Sequence, residues 1–358
     1  MVSVTLDGVT KRFGDVVALN KVSFTAEHGN LVVLLGPSGC GKTTTLRIIA
    51  GFINPDSGDV LFDGVSVLDK PPKDRNIGFV FQTIALFPHM TAFENIAFGL
   101  ETRNWEKQRI KTRVLELAKL FHIDTLLDRY PRELSVGQQQ RVAIARALAP
   151  NPNVLLLDEP LSALDVNLRD ELKLEIKKVQ EKLKTTMIYV THDLTEAFSI
   201  GNKIVILKDG EVQQIGSPLE IYYSPKNRFV VDFLQVTNMF TGEIKEFSDK
   251  YAVIDVNGST FRILLRKPMQ IGKKITFIVR PEDLILNPSH ANQLFDNIFE
   301  MVVENVDFKG PFMEVLGRFE DMRIRILTTS KNYLPKLKSG MKINVGFSSS
   351  TVSILQNS

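Results

Sequence analysis

The sequence holds one cysteine, Cys40, in 358 residues, and a single cysteine cannot close an intramolecular disulfide. A reducing, cytosolic compartment is compatible with that count. Charge of one sign is not in excess either: 44 basic against 41 acidic residues leave a formal net charge of +3. That balance leaves no electrostatic footprint for a nucleic-acid partner. No apolar run approaches the ~18 residues that a membrane-spanning helix requires. The opening stretch MVSVTLDGVTKRFG has no basic region followed by an apolar one, so no signal peptide is expected. Work at a membrane would therefore need another chain to supply the span. Internal repeats of fixed period and low-complexity tracts are also missing. What is present is ordinary globular composition, 44% hydrophobic and 24% charged, over a length that suits two domains.

Residues 2–33 alternate in polarity and read as strands, with turns expected at Asp7-Gly8, Gly14-Asp15 and His28-Gly29. The run NLVVLLG is continuously apolar and rich in β-branched residues, like a parallel strand buried on both faces, and it leads straight into GPSGCGKTTTLRIIAGF. From Asn95 to Asp124 the pattern turns helical, and a further helix follows Ser135 and stops at Pro150. NVLLLDEP and TMIYVTHD read as two more buried strands, NLRDELKLEIKKVQEKLKT as an amphipathic helix, DLTEAFSIG as a short helix, and KIVILKDGEVQQIG as a hairpin around Asp209-Gly210. Such alternation of strands and helices predicts a mostly parallel α/β sheet. After SPLEIYYSPKNRFVVDFLQVTN the texture changes. KITFIVR, MEVLGRF, MRIRIL and KINVGF are short, alternating and separated by turn residues, which predicts an all-β domain, a small barrel or sandwich, beginning near residue 236.

GPSGCGKT, residues 36–43, fits the phosphate-loop pattern G-x-x-x-x-G-K-[ST] in its required setting, a buried strand before and a helix after. Backbone N–H groups of such a loop and of the helix start cradle phosphate oxygens. Lys42 reaches the β- and γ-phosphates in this reading, and Thr43 gives its hydroxyl to Mg²⁺. Cys40 is a small spacer, although a thiolate there would be reactive. The loop specifies a nucleotide and little more. VLLLDE ends a buried strand on two carboxylates, where open α/β sheets place their ligands. Asp158 is then suited to hold the Mg²⁺ shell and Glu159 to polarise an attacking water. His192 ends IYVTH, where an imidazole can orient that water and sense a γ-phosphate, and Gln82 follows IGFVFQ, where a neutral amide can ligate Mg²⁺ or the water. Ser135 and Gln138, three apart at the head of an apolar run, form a capping box, with Val136, Gly137 and Gln138 as the first three helical residues. A β-branched residue adopts the first helical position at slight cost.

GPSGCGKTT, FQ at 81–82, LSVGQQQR, LLLDEP, SALD at 162–165 and VTHD, in this order, resemble the nucleotide-binding subunit of an ATP-binding cassette transporter over roughly residues 3–235. The family's usual signature is Leu-Ser-Gly-Gly-Gln; here Val136 replaces the first glycine. The resemblance implies an ATPase of the α/β phosphate-loop class with a helical subdomain at about 85–150 and with ATP and Mg²⁺ as cofactors. It implies a homodimer, or a dimer with a paralogous ATPase, with ATP held between the phosphate loop of one protomer and the LSVGQ segment of the other. Gly36, Pro37, Ser38, Gly39, Cys40, Gly41, Lys42, Thr43 and Thr44 would bind ATP from one side, and Ser135, Gly137 and Gln138 from the other. Phe13 would stack on adenine and Asp165 would run along the dimer seam. Thr43, Gln82 and Asp158 would hold the metal. Glu159 would be the catalytic base, His192 the switch, and Gln82 the link to a membrane partner.

A fused exporter would carry membrane helices, a DNA-repair cassette ATPase a long coiled coil inside its site, and a translation-type protein two cassettes; none of these features is in the sequence. Over residues 236–358, NRFVVDFLQVTNMFTGEI, VRPEDL and the β-rich remainder resemble the oligomer-binding-type barrel carried by ATPase subunits of binding-protein-dependent importers. That layout serves sugars, polyamines, iron and oxyanions, with the sugar and polyamine types most similar here. Such a barrel is a dimerisation and packing module or a regulatory site. The resemblance implies two transmembrane permease subunits, an extracytoplasmic solute-binding protein, and a peripheral place on the cytoplasmic face of the membrane. A soluble regulatory ATPase whose β domain binds a ligand is the alternative from another class.

Overall fold

Three largely apolar runs dictate where the sheet must be covered, because each can be satisfied only between two layers. The computed structural model describes residues 2–235, 238–265, 268–287, 295–330 and 337–355. The expected boundary at 236, and Thr237 of the barrel-like strings, lie outside the described residues. By contacts the chain divides into two units, Met1–Ile221 and Tyr222–Ser358.

In the first unit the elements run β1 Val4–Phe13, β2 Val16–Ala26, β3 Leu31–Leu35, α1 Lys42–Ala50, β4 Ser57–Phe62, β5 Val65–Ser66, β6 Ile77–Val80, α2 Ala92–Glu101, α3 Lys107–Leu120, α4 Val136–Leu148, β7 Val154–Asp158, α5 Val166–Leu183, β8 Thr186–Thr191, α6 Leu194–Ile200, β9 Lys203–Lys208 and β10 Glu211–Gly216. They form a six-stranded sheet in the order β10-β9-β3-β8-β7-β6 and a four-stranded sheet in the order β2-β1-β4-β5. In the first sheet all pairings are parallel except the β9–β10 hairpin. Every residue of β3, β7 and β8 is buried. The four-stranded sheet is antiparallel, and both sheets contribute to one core in which Val4, Leu6 and Phe24 pack with Val32, Leu156 and Ile188. The class is therefore the one predicted, an α/β phosphate-loop fold with a mostly parallel sheet.

Two local expectations are corrected. Asp7-Gly8 is not a turn: β1 runs through it, and the register with β2 and β4 slips there as in a bulge. The reason is a close approach of two backbones, since a Cβ on Gly58 would strike the Gly8 and Asp7 carbonyls. The helical stretch from Asn95 to Asp124 is also not continuous. It breaks between α2 and α3, where Asn104 takes a left-handed backbone with φ of 55°.

The helix that follows the phosphate loop is anchored at its far end. Arg75, buried, donates from Nη1 to the carbonyls of Ile48 and Ile49, both at 2.9 Å, and from Nε to Lys70 at 2.9 Å. A cation on the last carbonyls of α1 offsets the negative end of its dipole.

The second unit is all antiparallel. Its strands are β11 Asn238–Ser248, β12 Tyr251–Val256, β13 Ser259–Leu264, β14 Lys274–Val279, β15 Ile285–Leu286, β16 Asn297–Lys309, β17 Phe312–Phe319, β18 Met322–Thr329, β19 Lys342–Phe347 and β20 Ser353–Ile354. They make two five-stranded sheets, ordered β13-β12-β11-β14-β20 and β15-β19-β16-β17-β18. Inward residues of both sheets share one core. At its centre Phe240, Phe261, Phe277, Phe299, Phe319 and Phe347 interlock, with Phe299 and Phe319 centroids 4.7 Å apart. Tilted ring pairs of this kind favour one packing over many. This is the expected barrel-like β domain.

Candidate active site

The order β3-β8-β7-β6 sets four parallel strand ends side by side. Gly36 follows β3, His192 follows β8, Asp158 ends β7 with Glu159 next, and Gln82 lies two residues past β6. Side chains from four distant stretches thus meet at one edge of the sheet, where helix N-termini also point.

The phosphate loop is a tight path between neighbours. A Cβ on Gly36 would collide with the Leu207 carbonyl, and one on Gly41 would lie 2.6 Å from the Ala18 oxygen. Gly41 takes φ of 103° as the N-cap of α1, a conformation available to glycine and rarely to others. The Lys42 ammonium folds back onto its own loop, donating to the carbonyls of Gly36 at 2.7 Å and Pro37 at 2.9 Å. Those two carbonyls take up two of the ammonium's three donors. Cys40 is 2% exposed, and burial pushes its thiol pKa up despite the nearby Lys42 charge. The reading of Cys40 as a spacer fits this burial; a reactive thiolate does not.

Across the loop, Thr43 Oγ1 donates to Asp158 Oδ1 at 2.9 Å. Burial raises the pKa of Asp158, its bond to Thr43 works the other way, and the neighbouring Glu159 charge adds to the rise. One hydroxyl and one buried carboxylate give a hard oxygen pair suited to Mg²⁺. Glu159 is held in a left-handed backbone, with φ of 44°, and its N–H donates to the Val190 carbonyl of β8 at 3.1 Å. Non-glycine residues keep such a conformation only where their surroundings enforce it. Glu159 Oε2 lies 3.2 Å from Gln82 Nε2 and 3.4 Å from His192 Nδ1. Gln82, Glu159 and His192 thus share one oxygen.

The signature segment forms a capping box. Ser135 is the N-cap of α4; its hydroxyl accepts from the Gln138 N–H at 3.3 Å, and Gln138 Oε1 accepts from the Ser135 N–H at 3.0 Å. Val136 opens the helix without a positive φ and is 46% exposed. Gly137 is buried at the second helical position, and a Cβ there would meet the Leu168 side chain at 3.3 Å. Among the described residues no hydrogen bond or ion pair joins Ser135, Gly137 or Gln138 to the phosphate loop. Phe13 ends β1, 48% exposed, with the Lys11 ammonium 5.5 Å from its ring. It is available for stacking rather than used in the core. Asp165 caps α5, accepting from the Leu168 N–H at 3.1 Å. Pro37, Ser38, Gly39 and Thr44 lie in the loop and the first turn of α1.

Because Val136 is an exposed first helical residue, Val136→Gly should leave the steady-state ATPase rate within about threefold of wild type. Glycine costs the helix only about 0.5–1 kcal/mol relative to alanine. A phosphate-release assay checks it.

The arrangement sets a glycine-rich loop and helix start beside a strand-end carboxylate and a histidine that share one edge of a parallel sheet. Residues 19–162 match the family model described as ABC transporter. The chain is 43% identical over 320 residues to the spermidine/putrescine import ATP-binding protein PotA of Thermotoga maritima, covering 89% of this chain and 87% of that relative. It is 45% identical over 286 residues to the Fe(3+) ions import ATP-binding protein FbpC of Brucella abortus, covering 80% of each. The ATP-binding cassette MJ0796, in a dimeric post-hydrolysis state bound to ADP and Pi, matches with a TM-score of 0.55 and 37% identity, over 60% of this chain and 98% of that one. The chain belongs to the ATP-binding subunits of the ABC transporter family and is an ATP-binding ATPase. Among the described residues no helix is long and apolar enough to cross a membrane.

The left-handed backbone of Glu159 has no signal in the sequence. Arg169, Tyr189 and Glu196, which lie behind the site, carry no sequence signal of that placement either. Tyr189 donates to Glu196 Oε2 at 2.8 Å in a buried pair, and burial pushes the Tyr189 pKa well up.

Proposed function

We propose that this chain powers the import of a polyamine such as spermidine or putrescine through a multi-subunit transporter, hydrolysing ATP between two cassettes. The observation that carries the reading is the 43% identity to the Thermotoga spermidine/putrescine ATPase over 89% of the chain, a length that takes in most of the β domain as well as the cassette. Two permease subunits would supply the membrane span, a binding protein outside the membrane would deliver the solute, and the ATPase would sit on the cytoplasmic face. A ferric-ion importer is the second reading, supported by the Brucella relative.

ATP would lie on residues 36–44 of one protomer, with adenine against Phe13 and the γ-phosphate facing Ser135 and Gly137 of the other protomer. Lys42 would exchange the Gly36 and Pro37 carbonyls for phosphate oxygens. Thr43 and Asp158, already paired, would hold Mg²⁺ together with Gln82, and the ion would neutralise phosphate charge. Glu159 would take the proton of the attacking water, with His192 fixing the carboxylate and the γ-phosphate relative to each other. Asp165 would face the partner along the seam. A ligand shifts an equilibrium only by its differential affinity for the two states, and γ-phosphate contacts from both protomers supply that difference.

The test is ATPase activity of the complex reconstituted with its permease and binding protein. Spermidine or putrescine should stimulate hydrolysis. Stimulation by ferric ion alone would replace the polyamine reading with the second one.

A further inference from the structure

A pocket of about 40 Å³ lies behind the reacting edge, walled by Glu159, Ser162, His192, Asp193, Glu196 and Arg169. Hydrolysis as proposed engages Glu159 and His192, and the others have no task in it. Arg169, in the first turn of α5, touches two segments at once. Its Nη2 donates to the Leu164 carbonyl at 3.1 Å, and its Nη1 lies 3.7 Å from Asp193 Oδ2. Its Nε is buried without a hydrogen-bond partner among the described residues, facing Glu196 Oε1 at 3.9 Å.

The two segments so bridged are the ones that matter. Leu164 immediately precedes Asp165, and Asp193 immediately follows His192. Asp193 is itself fixed: Oδ1 accepts from the Thr195 N–H at 2.7 Å and the Glu196 N–H at 3.2 Å, and its own N–H donates to Thr191 Oγ1 at 3.0 Å. Glu196 is held from behind by Tyr189. Ser162 Oγ donates to the Glu159 carbonyl at 3.0 Å, so the loop between Glu159 and Asp165 is tied at both ends. A guanidinium is a rigid fork of donors that can serve a carbonyl and a carboxylate simultaneously, which a single ammonium does less well.

We propose that Arg169 is a positioning residue that locks the Asp165 loop to the His192 segment, so that a partner seated against Asp165 sets the orientation of His192 at Glu159. This rests on the assignment of Glu159 and His192 given above. Arg169 touches neither nucleotide nor water; it acts through Leu164 and Asp193.

The full-length protein carrying Arg169→Met, Asp193→Asn or both is assayed for kcat and KM with Mg-ATP, for affinity with a fluorescent ATP analogue, and for thermal stability. Asparagine keeps an oxygen to cap α6 while losing the charge that faces Arg169. Each single change should lower kcat about tenfold or more, as small displacements of reacting groups do, with ATP affinity within about twofold. The double variant should be no slower than the slower single one, because both break one link. Effects that multiply, a raised KM at unchanged kcat, or a kcat loss that merely tracks loss of folded protein would overturn the proposal. If Arg169→Met does not fold, the same cycle is run with Arg169→Lys, which keeps the charge without the fork. Glu159→Gln is measured alongside. A near-wild-type rate there removes the assignment of the site, whereas a silent Arg169→Met beside an inactive Glu159→Gln removes this proposal alone.

Discussion

Replacing Glu159 by glutamine is expected to slow ATP hydrolysis by about 10²–10⁴-fold, the usual contribution of a positioned general base. Binding should survive, because no loop residue changes and the γ-phosphate loses a negative neighbour. The side chain keeps its size and its left-handed backbone, with φ of 44°. Its contacts at 3.2 Å from Gln82 and 3.4 Å from His192 are also compatible with an amide. What disappears is the carboxylate's basicity, since an amide oxygen accepts hydrogen bonds but does not take up the water's proton. The variant should therefore accumulate with ATP bound, which single-turnover hydrolysis and nucleotide retention on a desalting column both read. Turnover at the wild-type rate would mean that another group is the base.

Gly137→Asp is expected to abolish measurable turnover, by about 100-fold or more, since juxtaposed like charges cost several kcal/mol. Gly137 is buried against Leu168, so the carboxylate also costs the fold some stability, and thermal stability is measured alongside the rate. A Cβ at this position meets only the Leu168 side chain, at 3.3 Å, and a carboxylate in the first turn of α4 is favourable to the helix dipole. A rate loss far larger than the loss of folded protein separates a phosphate-facing role from a packing role. Gly137→Ala adds the Cβ without the charge and should keep most of the rate. If Gly137→Asp hydrolysed ATP normally while Gly137→Ala did not, packing on Leu168 would be the requirement instead.

The parts of this site that were legible in the sequence are those whose chemistry is local. The phosphate loop announces itself because glycine is required where backbones crowd, as at Gly36 and Gly41. The capping box of Ser135 and Gln138 needs only a three-residue spacing, and it placed Val136 correctly at the start of α4. The three buried strands were legible because burial on both faces leaves no polar alternation to read. What was not legible depends on partners far along the chain. Asp7-Gly8 has turn composition, yet Gly58 turns it into a bulge by approaching it closely. Asn104 breaks a pattern whose apolar spacing looks continuous. Arg169 and Glu175 look like solvated charges on an amphipathic helix, but Glu175 is buried against Arg141 at 2.9 Å, and Arg169 donates to the Leu164 carbonyl and lies 3.7 Å from Asp193. Nothing in LLLDEP foretells that Glu159 adopts a positive φ.

The central claim is that ATP is held between the phosphate loop of one protomer and the signature helix of another. Energy transfer between labels on two protomers tests it most directly. A donor is placed at Val136 in one preparation and an acceptor at Val16 in another, each through an introduced cysteine. Val136 and Val16 are 46% and 68% exposed, while the native Cys40 is 2% exposed and shielded from labelling. Both preparations carry Glu159→Gln, so that ATP persists after mixing. Transfer between residue 136 of one protomer and residue 16 of the other should rise when Mg-ATP is added and fall when ADP replaces it. Transfer that does not respond to nucleotide, or that rises equally with ADP, would contradict a site closed by the partner's helix around the γ-phosphate.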